Sequence, residues 1–150
     1  MFLYRAITRR ELNLIARSAF RTFPVSYRTT VFYCPDYIHG VEAIARDRYA
    51  NDKDAEYAGF VVRVAIDDPF VHKLQLESLG RATASEVWVR EQAWREFHRR
   101  ITTGIEIVSA HYGPQFDGEV DPITNLPTDV AGCLPATHQR IPGTGGFRGF

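Results

Sequence analysis

The apolar positions fall into short blocks whose spacing changes along the chain. Phe2-Leu3-Tyr4-Arg5-Ala6-Ile7 is a compact apolar and aromatic run and predicts a strand. Thr8 follows where a helix cap belongs, and Glu11 three residues later completes a capping box. Leu12, Ile15, Ala16 and Ala19 continue at helical spacing, and Pro24 stops that helix. Thr29-Thr30-Val31-Phe32-Tyr33 predicts a second strand, broken by Pro35 and Asp36. Ile38, Val41, Ala45 and Tyr49 share one face of a helix predicted from about 37 to 50, and Asn51-Asp52-Lys53-Asp54 is a polar turn.

The strongest strand signal runs from Tyr57 to Ile66. Its β-branched run pairs well on a pleated surface, and its lack of strict alternation predicts an interior strand covered on both faces. Asp67-Asp68-Pro69 ends it, and Phe70 to Leu79 reads as a short strand or an irregular segment. Ser85 to Val89 predicts a strand, and Glu91 to Arg99 a short amphipathic helix with Trp94 and Phe97 inward. After a turn at Thr102 to Gly104, the run Gly104 to Ala110 alternates as a strand. Strands and helices mixed in this order predict an α+β fold.

The pattern weakens after Pro114. Residues 1–113 read as the folded domain and 114–150 as a Gly/Pro-rich C-terminal extension. Phe116, Val120, Ile123 and Leu126 are apolar enough to anchor a strap over 114–130. The end, from Pro142 to Phe150, is too poor in apolar groups to offset its ordering entropy and is expected to stay mobile.

Composition narrows the possibilities. A chain of 150 residues suits one domain, and 18 basic against 18 acidic residues do not mark a polyanion-binding surface. Two cysteines, Cys34 and Cys133, make neither a disulfide framework nor a metal motif. With no signal-peptide core and no long apolar run, the expectation is a cytoplasmic protein without membrane contact, or an effector exported without a cleaved signal. There is no nucleotide-loop, zinc-protease or serine-hydrolase motif. His39, His72, His98, His111 and His138 are isolated in sequence and read as surface residues, so no metal is expected.

The remaining candidates are polar groups on predicted strands. Arg5, if it points inward, needs a carboxylate or phosphate partner. Thr30 and Tyr33 lie on the second strand, and Glu86 opens a later one beside Trp88, itself readable as a core residue. The order of these pieces resembles the ADP-ribosyltransferase fold, particularly its small bacterial toxin-like members. The resemblance spans about residues 2–110. It is carried by Leu3-Tyr4-Arg5-Ala6-Ile7 with Glu11-Leu12, Val31-Phe32-Tyr33, the helix closing on Tyr49-Ala50, Ser85-Glu86-Val87-Trp88-Val89, and Ile101 to Ile107.

That resemblance implies a split mixed β-sheet flanked by short helices, and NAD as co-substrate with no metal. It implies Glu86 and Arg5 as catalytic residues in one dinucleotide cleft. Glu86 would hold the ribose 2′-hydroxyl and stabilise the oxocarbenium ion, and Arg5 would grip the pyrophosphate or the nicotinamide ribose side. Tyr4, Thr30, Phe32 and Tyr33 would complete the NAD site, with Tyr33 and Phe32 beside the nicotinamide. The acceptor of ADP-ribose is left open among protein, nucleic acid, small molecule and water, the last making a glycohydrolase. A toxin of this kind implies a cognate antitoxin or immunity protein. Ala84 stands where many arginine-modifying members carry a carboxylate or glutamine, and Cys34 where a small hydroxyl residue is common. Other readings are an inactive binding member of the fold, a purely structural domain, and an RNA-directed toxin using Arg9, Arg10, Arg46, Arg48, Arg99 and Arg100.

Overall fold

The computed structural model describes residues 1–134 and 140–145. It is an α+β fold with a mixed, six-stranded sheet flanked by helices. The strands are β1 (Phe2–Thr8), β2 (Thr30–Tyr33), β3 (Ala58–Ala65), β4 (Glu86–Val89), β5 (Glu106–Tyr112) and β6 (Gly143–Thr144). Their order across the sheet is β4-β2-β1-β3-β5-β6, antiparallel except for the β5–β6 pair.

Local chemistry explains where two of the helices, α1 and α3, begin. In α1 (Arg9–Arg17) the Thr8 side chain accepts the Glu11 N–H, and Leu12, Ile15 and Ala16 are buried at helical spacing. The helix α2 (Ile38–Ala43) follows a 3₁₀ turn over Pro35–Tyr37 and passes into a π-helical turn, Ile44–Arg48, and a second 3₁₀ turn, Tyr49–Asn51. The single regular helix expected over 37–50 is therefore four successive segments of three different pitches. Gly59 explains part of this close fit, since a Cβ there would lie 2.2 Å from the Ala45 carbonyl oxygen. The segment read as strand or irregular from Phe70 to Leu79 is instead helical, α3 (Asp68–Glu77). Asp67 caps it by accepting the Phe70 N–H, Pro69 sits in its first turn, and Phe70, Val71 and Leu74 share its buried face. Two further helices complete the set, α4 (Trp94–Arg99) and α5 (Thr128–Ala131).

The sheet divides the helices. Buried residues of α1, α3, α4 and α5 join Leu3, Ile7, Phe32, Phe60, Val62, Val64, Val87 and Val89 in one core. On the other face, α2 and its π-turn cover Ala6 and Val61 through Val41 and Ala45. Strand β3 is covered on both faces, as its β-branched run predicts. Phe116, Leu126, Val130 and Ile141 are buried in the larger core, whereas Ile123 is exposed. The chain end expected to be mobile contributes β6 at Gly143–Thr144, and residues 146–150 lie outside the described residues. No helix among the described residues is long and apolar enough to cross a membrane.

Candidate functional site

The sheet has one weak seam. Strands β1 and β3 align over seven register pairs, but β1 and β2 share only Tyr4↔Tyr33. Beyond that pair, the Arg5 guanidinium donates to the Val31 carbonyl oxygen at 3.4 Å and to Glu11 Oε2 at 3.1 Å. The inward-pointing cation has thus found a carboxylate, the partner its position on a strand demands.

Glu86 sits directly opposite Tyr33 on the β2–β4 ladder. It accepts the Thr83 backbone N–H at 2.8 Å and the Trp88 indole N–H at 3.3 Å. The Thr83 bonds, helped by Trp88, hold its carboxyl below the usual glutamate range, so Glu86 is ionised at neutral pH. Tyr33 stacks on Tyr37 with ring centroids 4.9 Å apart. Burial raises the Tyr33 phenol, the Glu86 charge raises it further, and the Arg5 charge opposes both. Tyr33 therefore feels the Glu86 carboxylate and the Arg5 guanidinium together.

The six expected site residues divide between the faces of the sheet. Side chains opposite one another in an antiparallel pair point the same way, so Tyr4, Tyr33 and Glu86 share the α2 face. Arg5, Thr30 and Phe32 alternate onto the face of α1 and α4. Arg5 and Glu86 do not meet in one cleft as expected. They approach the seam from opposite sides because their strands place them at opposite phases of the pleat. Phe32, expected beside a nicotinamide, is wholly buried among Phe23, Trp94 and Phe97. Thr30 is buried and lines a cleft of about 570 Å³ with Arg5, Glu11, Arg28 and Trp94. Trp88 is half-buried beside Glu86 rather than in the core. A larger concavity, about 880 Å³ beside His98 and Ile101, contains none of the expected site residues.

A second polar cluster went unread in the sequence. Ser109 Oγ donates to both oxygens of Glu42, at 2.7 and 2.9 Å, and His111 Nε2 lies 2.7 Å from Glu42 Oε2. Burial pushes the Glu42 carboxyl up, but the bonds from His111 and Ser109 outweigh it and leave it below its usual range. His111 and the half-buried His98 are not the surface histidines their isolation in sequence suggests. Ser109 and His111 stand two apart on one strand, which is the signal available in the sequence, but nothing there points to Glu42. Among the described residues no group of three or more histidine, cysteine or acidic side chains is placed to hold a metal ion. Comparison with protein-family models, with curated proteins and with solved structures yields no match.

Proposed function

We propose that the chain is an NAD-dependent ADP-ribosyltransferase whose reacting bond lies at the β1–β2 seam, on the side of Glu86 and Tyr33. The observation that carries this reading is the strand order β4-β2-β1, which sets Glu86, Tyr33 and Arg5 on three neighbouring strands. These are the residues singled out by the resemblance to that fold.

The chemistry suits an ionised Glu86. When the nicotinamide–ribose bond breaks, the bonding pair leaves with nicotinamide, which becomes neutral, and the ribose becomes an oxocarbenium ion. A fixed carboxylate stabilises that cation and accepts the 2′-hydroxyl proton in a hydrogen bond. Its two donors, Thr83 N–H and the Trp88 indole, orient it without neutralising it. Tyr37, exposed at this end of the sheet and stacked on Tyr33, supplies aromatic surface beside the cationic nicotinamide. Arg5 acts from behind the seam and takes the dinucleotide phosphates only by exchanging Glu11 for them. An acceptor nucleophile then attacks the ribose; with water in that place the same site is an NAD glycohydrolase.

The test is nicotinamide release from NAD by the full chain and by Glu86→Gln. Glutamine removes the charge and keeps one acceptor oxygen, giving up the weaker bond from the Trp88 indole, so turnover falls by roughly 10²–10³-fold with a small change in melting temperature. Wild-type turnover in Glu86→Gln, or a wild-type chain that does not bind NAD, overturns the reading.

A further inference from the structure

The buried cluster on β5 is not a nucleophile. In a serine hydrolase the imidazole touches the serine and the acid touches the imidazole. Here the carboxylate is in the middle, with Ser109 and His111 both bound to Glu42. That order leaves no imidazole on the serine and ties both side chains to one carboxylate, which makes the group an anchor.

What it anchors is visible at both ends. Strand β6 lies along the edge of β5, with Ala110↔Gly143 and His111↔Thr144 in register and the Ala110 N–H donating to the Pro142 carbonyl at 2.9 Å. Gly143 has φ 152°, and a Cβ there would sit 1.5 Å from the Ala110 carbonyl oxygen, so the edge accepts only glycine at that position. The preceding Ile141 is buried, its N–H donates to Thr124, and its carbonyl accepts from Asn125 Nδ2. Thr144 Oγ1 then meets His111 Nδ1 at 3.2 Å.

The proton arrangement follows from Glu42. An ionised carboxylate accepts only, so His111 Nε2 carries a proton toward it. Nδ1 then meets the Thr144 hydroxyl, which can either donate to the ring or accept from it. Glu42 is the penultimate residue of α2, and α2 continues directly from Pro35–Tyr37. The Tyr37 ring folds back over Gly40, where a Cβ would lie 2.3 Å from it, and from there it stacks on Tyr33.

We infer that β6 is a positional latch for the candidate site: Thr144 fixes the orientation of the His111 ring that holds Glu42, and through α2 this sets Tyr37 against Tyr33. Thr144 and His111 are positioning residues. Register sets Tyr33, Tyr4, Arg63 and Glu106 in one row, and His111 lies further along β5, so His111 is roughly 20 Å from Tyr33 and the effect travels through the helix and not by direct contact. Only the activity arm of the test rests on the proposed NAD chemistry.

The experiment uses the full chain with Thr144→Val, which removes the hydroxyl and keeps the shape, Thr144→Ser, which restores it, and Gly143→Ala, which unseats the strand. Three signals are read: amide exchange at Ala110, the NMR resonances of the Tyr37 ring and the Trp88 indole N–H, and nicotinamide release. Gly143→Ala speeds Ala110 exchange by roughly tenfold or more, whereas Thr144→Val leaves it within about threefold. Both shift the Tyr37 and Trp88 resonances and lower kcat by roughly three- to tenfold, and Thr144→Ser restores the wild-type values. Fast Ala110 exchange in Gly143→Ala with unmoved Tyr37 and Trp88 resonances overturns the latch. If the wild type turns over no NAD, the proposed function fails, and the resonances of Thr144→Val still decide the latch.

Discussion

The two halves of the sheet are built on different terms. On one side β1, β3 and β5 form a long antiparallel body, seven register pairs on one flank of β3 and six on the other, with apolar groups on both faces. On the other side β2 and β4 are four residues each and reach the body through one pair, Tyr4↔Tyr33. A polar side chain crosses where backbone pairing is thin: Arg5 on β1 bonds the Val31 carbonyl on β2, while Glu86 takes the Thr83 and Trp88 N–H groups of its own segment. The body resists local opening because many pairs must break together. The seam is held by few groups, so it is the easier part of the sheet to open locally.

The sharpest way to break this contrast is to damage the body. Phe60 is fully buried, with Tyr112 against its ring at 5.9 Å. Phe60→Ala is expected to cost about 3–5 kcal/mol in urea unfolding. A loss as small as that of an exposed site would mean that the body is not the stable half.

An intermediate effect comes from acid. His98 Nε2 accepts the Phe23 N–H at 3.0 Å at the start of the loop that leads to Thr30. Burial lowers the His98 pKa, so the folded chain resists a proton that the unfolded chain accepts near pH ~6.5. Stability is therefore retained above that pH, falls as pH drops below it, and levels once the folded histidine protonates. Denaturation midpoints measured across pH 5–7.5 should show this slope in the wild type and lose it in His98→Gln. An identical slope in both chains would assign it to other groups.

The smallest expected effect lies at the seam. Gly40→Ala displaces the Tyr37 ring, a mobile group, rather than backbone. The helix gains up to ~1 kcal/mol from losing a glycine, and a ring pair worth ~0.5–1.5 kcal/mol is disturbed, so unfolding free energy should hardly change. The near-ultraviolet circular dichroism of the tyrosines should change clearly. A stable variant with an unaltered spectrum would show that the ring does not depend on Gly40.

Much of the architecture is legible from residue patterns. Thr8 with Glu11 marks the start of α1, and the β-branched run over Phe60–Ile66 marks the doubly covered strand β3. Patterns were misleading where two signals compete locally. From Phe70 to Leu79 the apolar groups suit either period, and the decision rests on the Asp67 cap and Pro69 in the first turn. Over 37–50 the helical period is genuine, but packing of Ala45 on Gly59 and the passage to Tyr49 change its pitch. The site was legible only in part. Glu86, Tyr33 and Arg5 do fall on neighbouring strands, but Arg5 and Glu86 face opposite ways, Phe32 is core, and the Glu42–His111–Ser109 group was not seen.

The amino-acid sequence by itself determined which segments extend and which coil, because apolar period, caps and prolines act over a few residues. Only the tertiary structure decided which strand lies beside which, which phase of the pleat faces each helix layer, and that Thr144 reaches His111 33 residues away. These are long-range pairings, chosen by how two distant apolar faces close on each other. No local period carries that information.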